Sequence, residues 1–92
     1  MLIIRHTKAY RKAYRKISRS GRFPKKEIDS VIDALARGEK LAVSYNDHGL
    51  SGEFIGHREC HLGFDLLLIY RIEDKNLVLV LVGLGSHDDL FG

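Results

Sequence analysis

The chain has one cysteine, one proline and no tryptophan in 92 residues. A lone cysteine excludes an internal disulfide and fits a reducing compartment. No apolar run approaches the length that spans a bilayer, so a helical membrane protein is excluded. The opening MLIIRHTKAYRK has an apolar stretch too short for a signal peptide, and its basic residues follow that stretch rather than precede it. A cytoplasmic location is the expectation. Internal repeats, linkers and low-complexity tracts are also missing, which leaves one domain over 1–92 as the simplest organisation. Neither CxxC nor HExxH spacing occurs. His57, Cys60, His61, Asp65 and His87 are ligand types for zinc, but without such spacing no metal and no cofactor is expected.

The most informative absence is of acid. Residues 1–26 hold Arg5, Lys8, Arg11, Lys12, Arg15, Lys16, Arg19, Arg22, Lys25 and Lys26 and not one Asp or Glu. Residues 41–92 hold three basic residues against eight acidic ones, a balance of −5, although the net charge is +3. Such asymmetry points to a polyanionic partner for the N-terminal half: nucleic acid or an acidic protein. The plainer alternative is a solvated basic helix face. With 45% hydrophobic and 29% charged residues, the composition is that of a soluble globular chain with a small core.

What is present reads as alternating periods. LIIRH at 2–6 is a short strand, and Thr7 suits the N-cap of a following helix. Tyr10, Ala13, Tyr14 and Ile17 make one helical stripe, with Lys and Arg on the other face and Gly21 as a stop. Pro24 opens a second helix, Ile28, Val31, Ile32 and Leu35 form its stripe, and Gly38 ends it. Residues 39–52 lack a clear period. EFIGHRECHL then alternates, with Phe54, Gly56, Arg58, Cys60 and Leu62 on one face and Ile55, His57, Glu59 and His61 on the other. DLLLIYRI is a strand apolar on both faces, EDKN a turn and LVLVLVG another such strand. Ser86 can start a last helical turn. The order β-α-α-β-β-β predicts an α+β fold, with two helices on one face of a small antiparallel sheet. The second sheet face must be covered by the tail, the 39–52 loop or a partner.

That second face is where a site is expected. His48, His61, Asp65 and His87 fall at loops and strand ends, and histidine moves protons near neutral pH. Beside a basic helix, this set suggests phosphodiester chemistry on RNA, whose 2′-hydroxyl is a built-in nucleophile. Arg58 could hold the phosphate. Each histidine taken alone is more often a surface residue, and His6 and His57 are read that way. Cys60 is read as a core residue, and Phe91 as either closing the core or stacking on a base.

Several stretches together carry a resemblance. D-H-x-L-x-G at Asp47–Gly52, G-x-R-[DE]-x-H at Gly56–His61, Asp65, the LLIY strand and G-[ST]-H-x-x-L-F at Gly85–Phe91 resemble the YafQ-like branch of the RelE/ParE toxin superfamily. The match covers about the last half of the chain. The N-terminal half matches in helix pattern and basic character. Departures fall at Glu53, Phe54 and Ile55, at Gly49, and at Gly63 and Phe64 before Asp65. The resemblance implies a RelE-like microbial RNase fold and a type II toxin that cleaves mRNA on the ribosome, blocked by a cognate antitoxin. It implies His48, His61, Asp65 and His87 as the catalytic set: His87 as acid, His48 or Asp65 as base, and His61 orienting. Arg58 and Phe91, with Lys12 and Arg15 of the basic helix, would contact substrate. A ParE-like toxin that binds DNA gyrase shares the fold, and a plain nucleic-acid-binding domain is the third reading.

Overall fold

Strand β1 is Ile3–His6, helix α1 Lys8–Ser18 and helix α2 Lys25–Ala36. They belong to a computed structural model that describes residues 1–21, 24–63 and 65–92. Arg22 of the basic stretch and Phe64 of the turn before Asp65 lie outside the described residues. Thr7 caps α1, its Oγ1 accepting the Tyr10 amide at 3.0 Å. The same hydroxyl donates to the Val82 carbonyl at 2.7 Å, so one residue starts the helix and ties it to the sheet. The α1 stripe is as expected: Tyr10 is buried, and Ala13, Tyr14 and Ile17 pack against the core. The helix ends at Ser18 with Arg19 as cap, three residues short of Gly21. Pro24 is the N-cap of α2, whose Ile28, Val31 and Leu35 are buried. Gly38, at φ +77, closes α2: its amide reaches the Leu35 carbonyl and that of Glu39 reaches Ala34. This left-handed closure favours glycine.

The remaining elements are β2 (His48–Gly49), β3 (Arg58–His61), β4 (Leu67–Glu73), β5 (Val78–Gly85) and α3 (His87–Phe91). The five strands run in the order β1-β5-β4-β3-β2. The α+β class and the helix-on-sheet layers follow the expectation. The sheet, however, is mixed: β1 pairs parallel with β5, and the other neighbours are antiparallel. The aperiodic 39–52 stretch supplies the extra strand, two residues long. The alternation expected from residue 53 starts only at Arg58, because Gly52–Phe54 forms a 3₁₀ turn.

Register divides the sheet into two faces. Cys60, Leu68 and Leu84 form one cross-strand row and Tyr70 with Leu81 another, all packed with Tyr10, Ile28, Val31 and Leu35 into the main core. On the opposite face Glu59 pairs with Ile69 and Ile69 with Gly83, while His61 pairs with Leu67 and Leu67 with Gly85. Leu67, Ile69 and Val80 are buried yet stand outside the main core cluster. They form a small apolar floor on the face that α1 and α2 leave uncovered. Part of its cover is the C-terminal tail. Gly85 lets α3 double back: a Cβ there would meet the Asp89 Cβ at 2.9 Å. No described helix is long and apolar enough to cross a membrane.

Candidate active site

The cluster begins with the 46–48 loop. Asn46 takes the left-handed conformation at φ +47 and turns the chain toward β2. His48 then pairs across β2–β3 with Glu59. Its Nδ1 lies 2.7 Å from the Asn46 carbonyl. A carbonyl only accepts, so this contact calls for a proton on Nδ1 and leaves Nε2 as the ring nitrogen that can exchange one. That Nε2 is 3.6 Å from Glu59 Oε1. His61, two residues along β3 and therefore on the same face, places its own Nε2 3.4 Å from the same oxygen. Asn46 Nδ2 approaches His61 Nε2 at 3.5 Å. The Glu59 side chain is only 6% exposed, while both imidazoles reach solvent. A buried carboxylate flanked by two histidines holds their rings and stabilises either one when it takes a proton.

His87 and Phe91 enter from α3. Ser86 caps this helix in a reciprocal capping box with Asp89. Asp65, in the β3–β4 turn, accepts the His87 amide at 3.1 Å. Asp65 thus fixes the start of α3 and with it the His87 ring. The row His61–Leu67–Gly85 spans two strand spacings, about 10 Å, so His87 rises just beyond its far end. The His87 and Phe91 rings are 5.1 Å apart, and Phe91 meets Phe54 edge-on at 5.5 Å. Phe91 is 38% exposed and stands outside the core cluster, so it does not close the core and keeps an open face.

Of the predicted residues, His48 and His61 meet directly, and Asp65 and His87 form a second group on the same face. Arg58, expected beside them as a phosphate ligand, does not join them. It precedes Glu59 by one residue, so strand alternation turns it to the helix-covered face. There its Nε donates to Asp47 Oδ1 at 3.1 Å. The Tyr70 hydroxyl donates to the same carboxylate at 2.8 Å. Burial, and then the Asp47 hydrogen bond, push the Tyr70 pKa well above its usual value. Asp47, Arg58 and Tyr70 therefore clamp the loop that carries His48. Lys12 lines a groove against Asp89 and Leu90, and Arg15 is exposed on α1; neither is part of the cluster.

Glu59 was missed as a site residue. The signal for it was an acid within an alternating strand, facing the same way as two histidines. Cys60 is a core residue as expected: it is fully buried, and burial raises its thiol pKa to about 12. The histidines set aside also stay local, His6 stacking on Tyr10 and His57 against Phe54. The ligand atoms of His48, Glu59 and His61 all lie within 4.8 Å of one another. Two imidazoles and a carboxylate suit a divalent transition metal. This trio, and not the Cys60-containing set, is the group among the described residues that could hold one.

A family model described as a bacterial toxin of type II toxin–antitoxin system, YafQ, matches residues 2–92. The mRNA interferase toxin YafQ of Escherichia coli (strain K12) is 40% identical over 52 residues, 56% of this chain and 54% of that protein. The match thus spans about half the length of this curated relative. A crystal structure of a metal-bound toxin from Helicobacter pylori superposes with a TM-score of 0.92 at 42% identity, covering 99% of this chain and 100% of that one. YafQ in the E. coli DinJ–YafQ toxin–antitoxin complex gives 0.83 at 28% identity, covering 99% and 98%.

Proposed function

Because this chain belongs to the YafQ family of type II toxin–antitoxin toxins, we propose that it is an endoribonuclease that cuts mRNA on the ribosome and is held inactive by a cognate antitoxin. The observation that carries this reading is the buried Glu59 carboxylate between His48 and His61, facing the same sheet surface as His87. His48 Nε2, unprotonated, takes the proton of the ribose 2′-hydroxyl, and Glu59 stabilises the imidazolium that results. The 2′-oxygen bonds to phosphorus as the bond to the 5′-oxygen breaks. His87 gives a proton to that leaving oxygen, and the products are a 2′,3′-cyclic phosphate and a 5′-hydroxyl. His61 orients the carboxylate and the substrate. Asp65 positions His87 through its amide rather than acting as the base.

A metal held by His48, Glu59 and His61 would polarise a phosphoryl oxygen. It would also occupy the His48 lone pair, so the acid–base reading expects chelator to leave cleavage intact. The E. coli relative is complexed with DinJ. For this chain, the exposed basic face of α1 (Lys8, Arg11, Lys12, Arg15, Lys16) offers an acidic antitoxin segment or the ribosome a complementary surface. A cytoplasmic location follows from those partners. A pure gyrase binder has no need of the cluster.

The test is induction of wild type and His87→Ala in a bacterial host, with 5′ ends of mRNA mapped by primer extension. New in-frame ends with wild type alone are expected. Growth arrest without new ends would return the gyrase-binding reading.

A further inference from the structure

The proposed chemistry needs a cation for the phosphate, and Arg58 faces the other way. Register identifies two other arginines. Arg5 pairs with Val80 across β1–β5, and Val80 pairs with Arg71 across β5–β4. Arg71 follows Ile69 by two residues on an unbroken strand, so it shares the face of Ile69 and Glu59. The register shift beside Ile69 and Tyr70 falls on the β5 side, where Val82 is skipped. It therefore leaves the alternation of β4 intact. The open face thus carries the His48–Glu59–His61 cluster at the β2–β3 end and an arginine row Arg5–Val80–Arg71 toward β1. Between them lies the apolar floor of Leu67, Ile69 and Val80.

We infer that Arg5 and Arg71 are substrate-binding residues, a phosphate-binding row that seats the RNA strand on the open sheet face next to the acid–base cluster. This rests on the reading that the chain cleaves RNA. The arginine row lies one strand step, roughly 7 Å, along β4 from the Glu59–Ile69 row. Arg71 is not idle in the free protein: its Nη2 and Nε donate to Glu73 Oε2 at 2.9 and 3.2 Å. The hydrogen bond from Arg71, with a second from Asn76, holds the Glu73 carboxyl below its ordinary pKa. The side chains of this pair are 37% and 35% exposed, so a phosphate can compete for the guanidinium. Glu73 keeps Arg71 extended along the face and also weakens its charge. An acidic protein would find the basic helix α1 a denser partner. The Phe91 ring, 38% exposed beside His87 on the same face, favours a ligand with both phosphates and flat bases, as single-stranded RNA has.

The test uses the His87→Ala chain, which binds without cutting, and a short single-stranded RNA oligomer titrated at several salt concentrations. Replacing Arg5 and Arg71 together by Gln should flatten the slope of log affinity against log salt by about 1.4, or about 25-fold in affinity at 0.1 M salt. Glu73→Gln should move affinity the opposite way, tightening it, which a merely structural role for the pair does not predict. An unchanged slope in the double arginine variant and unchanged affinity in Glu73→Gln, with RNA still bound, would overturn the arginine row and leave the ribonuclease reading standing. Weakened binding of poly-glutamate with unchanged RNA binding would overturn it in favour of an acidic protein. Absence of RNA binding even before the arginine changes would overturn the row as a seat for free RNA, while the ribonuclease reading is judged separately by the primer-extension test.

Discussion

The two faces of one sheet divide the work of this chain. Strands β3 and β4 put Cys60, Leu68 and Tyr70 on one face and Glu59, His61 and Ile69 on the other, residue by residue. The first face is sealed by α1 and α2 and holds the main core. The second keeps a thin apolar floor and spends its remaining positions on titratable groups. The comparison teaches that the strand period of two lets a small chain stabilise itself with one set of side chains and leave the other set for the chemistry proposed above. Substitutions on the two faces should therefore separate stability from activity.

The largest contrast is between His61 and Leu68, which sit on opposite faces of paired strands. His61→Ala should lower RNA cleavage by about 100-fold, the upper end of what losing a positioning partner of a site costs, with the thermal midpoint nearly unchanged. Leu68→Ala removes a fully buried side chain and should cost about 2–5 kcal/mol in denaturant titration. At temperatures where Leu68→Ala is still folded, its turnover should stay near wild type. A His61 variant that melts early, or one that cuts normally, would break the division.

Tyr70 sharpens the comparison, because it belongs to the core face yet serves the other one. Its ring is buried with Leu81, while its hydroxyl grips Asp47 beside the His48 loop. Tyr70→Phe keeps the ring and removes only the grip. Activity should fall about 10–100-fold, as when supporting hydrogen bonds around a site are lost. The His48 ring should then sample both tautomers in imidazole ¹⁵N spectra, whereas wild type should keep Nδ1 protonated. An unchanged His48 signal in Tyr70→Phe would mean that the clamp does not aim the imidazole.

Much of the fold was legible because it rests on local signals. The Thr7 cap, the Tyr10 and Ile28 stripes, the Gly38 stop and the Ser86 start all act within one helical turn. The two doubly apolar strands announced themselves by composition. What escaped was non-local. The parallel pairing of β1 with β5 joins residues more than 70 positions apart, and no local period encodes it. The two-residue β2 is too short to show a period and exists only because β3 is there to pair with. Within the candidate site, the histidines were proposed from residue type and resemblance, and the fold brings His48 and His61 together at Glu59. Glu59 was passed over because an acid in an alternating strand reads as solvent-facing, and only the flanking rings explain its burial. Arg58 shows the converse: the motif grouped it with the candidate site, while the strand parity already visible in the sequence puts it on the other face.

The smallest expected effect concerns how the open face is closed by α3. The Ser86 backbone N–H, followed by the Ser86 hydroxyl, holds the Asp89 carboxyl below its ordinary value of 3.8. A carboxylate so depressed contributes fully to the folded state above its unfolded pKa. That contribution is lost as pH falls through the lower, folded value. Lowering the pH from 5 toward 3 should therefore loosen the start of α3, and with it His87 and Phe91, before the core face responds. Native-state hydrogen exchange would report it. The Leu90 amide, bonded to the Ser86 carbonyl, should lose protection several-fold relative to the Leu68 amide, after correction for the intrinsic pH dependence of exchange. Asp89→Asn should show the loosened pattern already at neutral pH and respond less to acid. If both amides lose protection together, α3 is part of the same cooperative unit as the core. The open face would then be as rigid as the face beneath the helices, and its histidines would be held by the whole fold rather than by a separable cap.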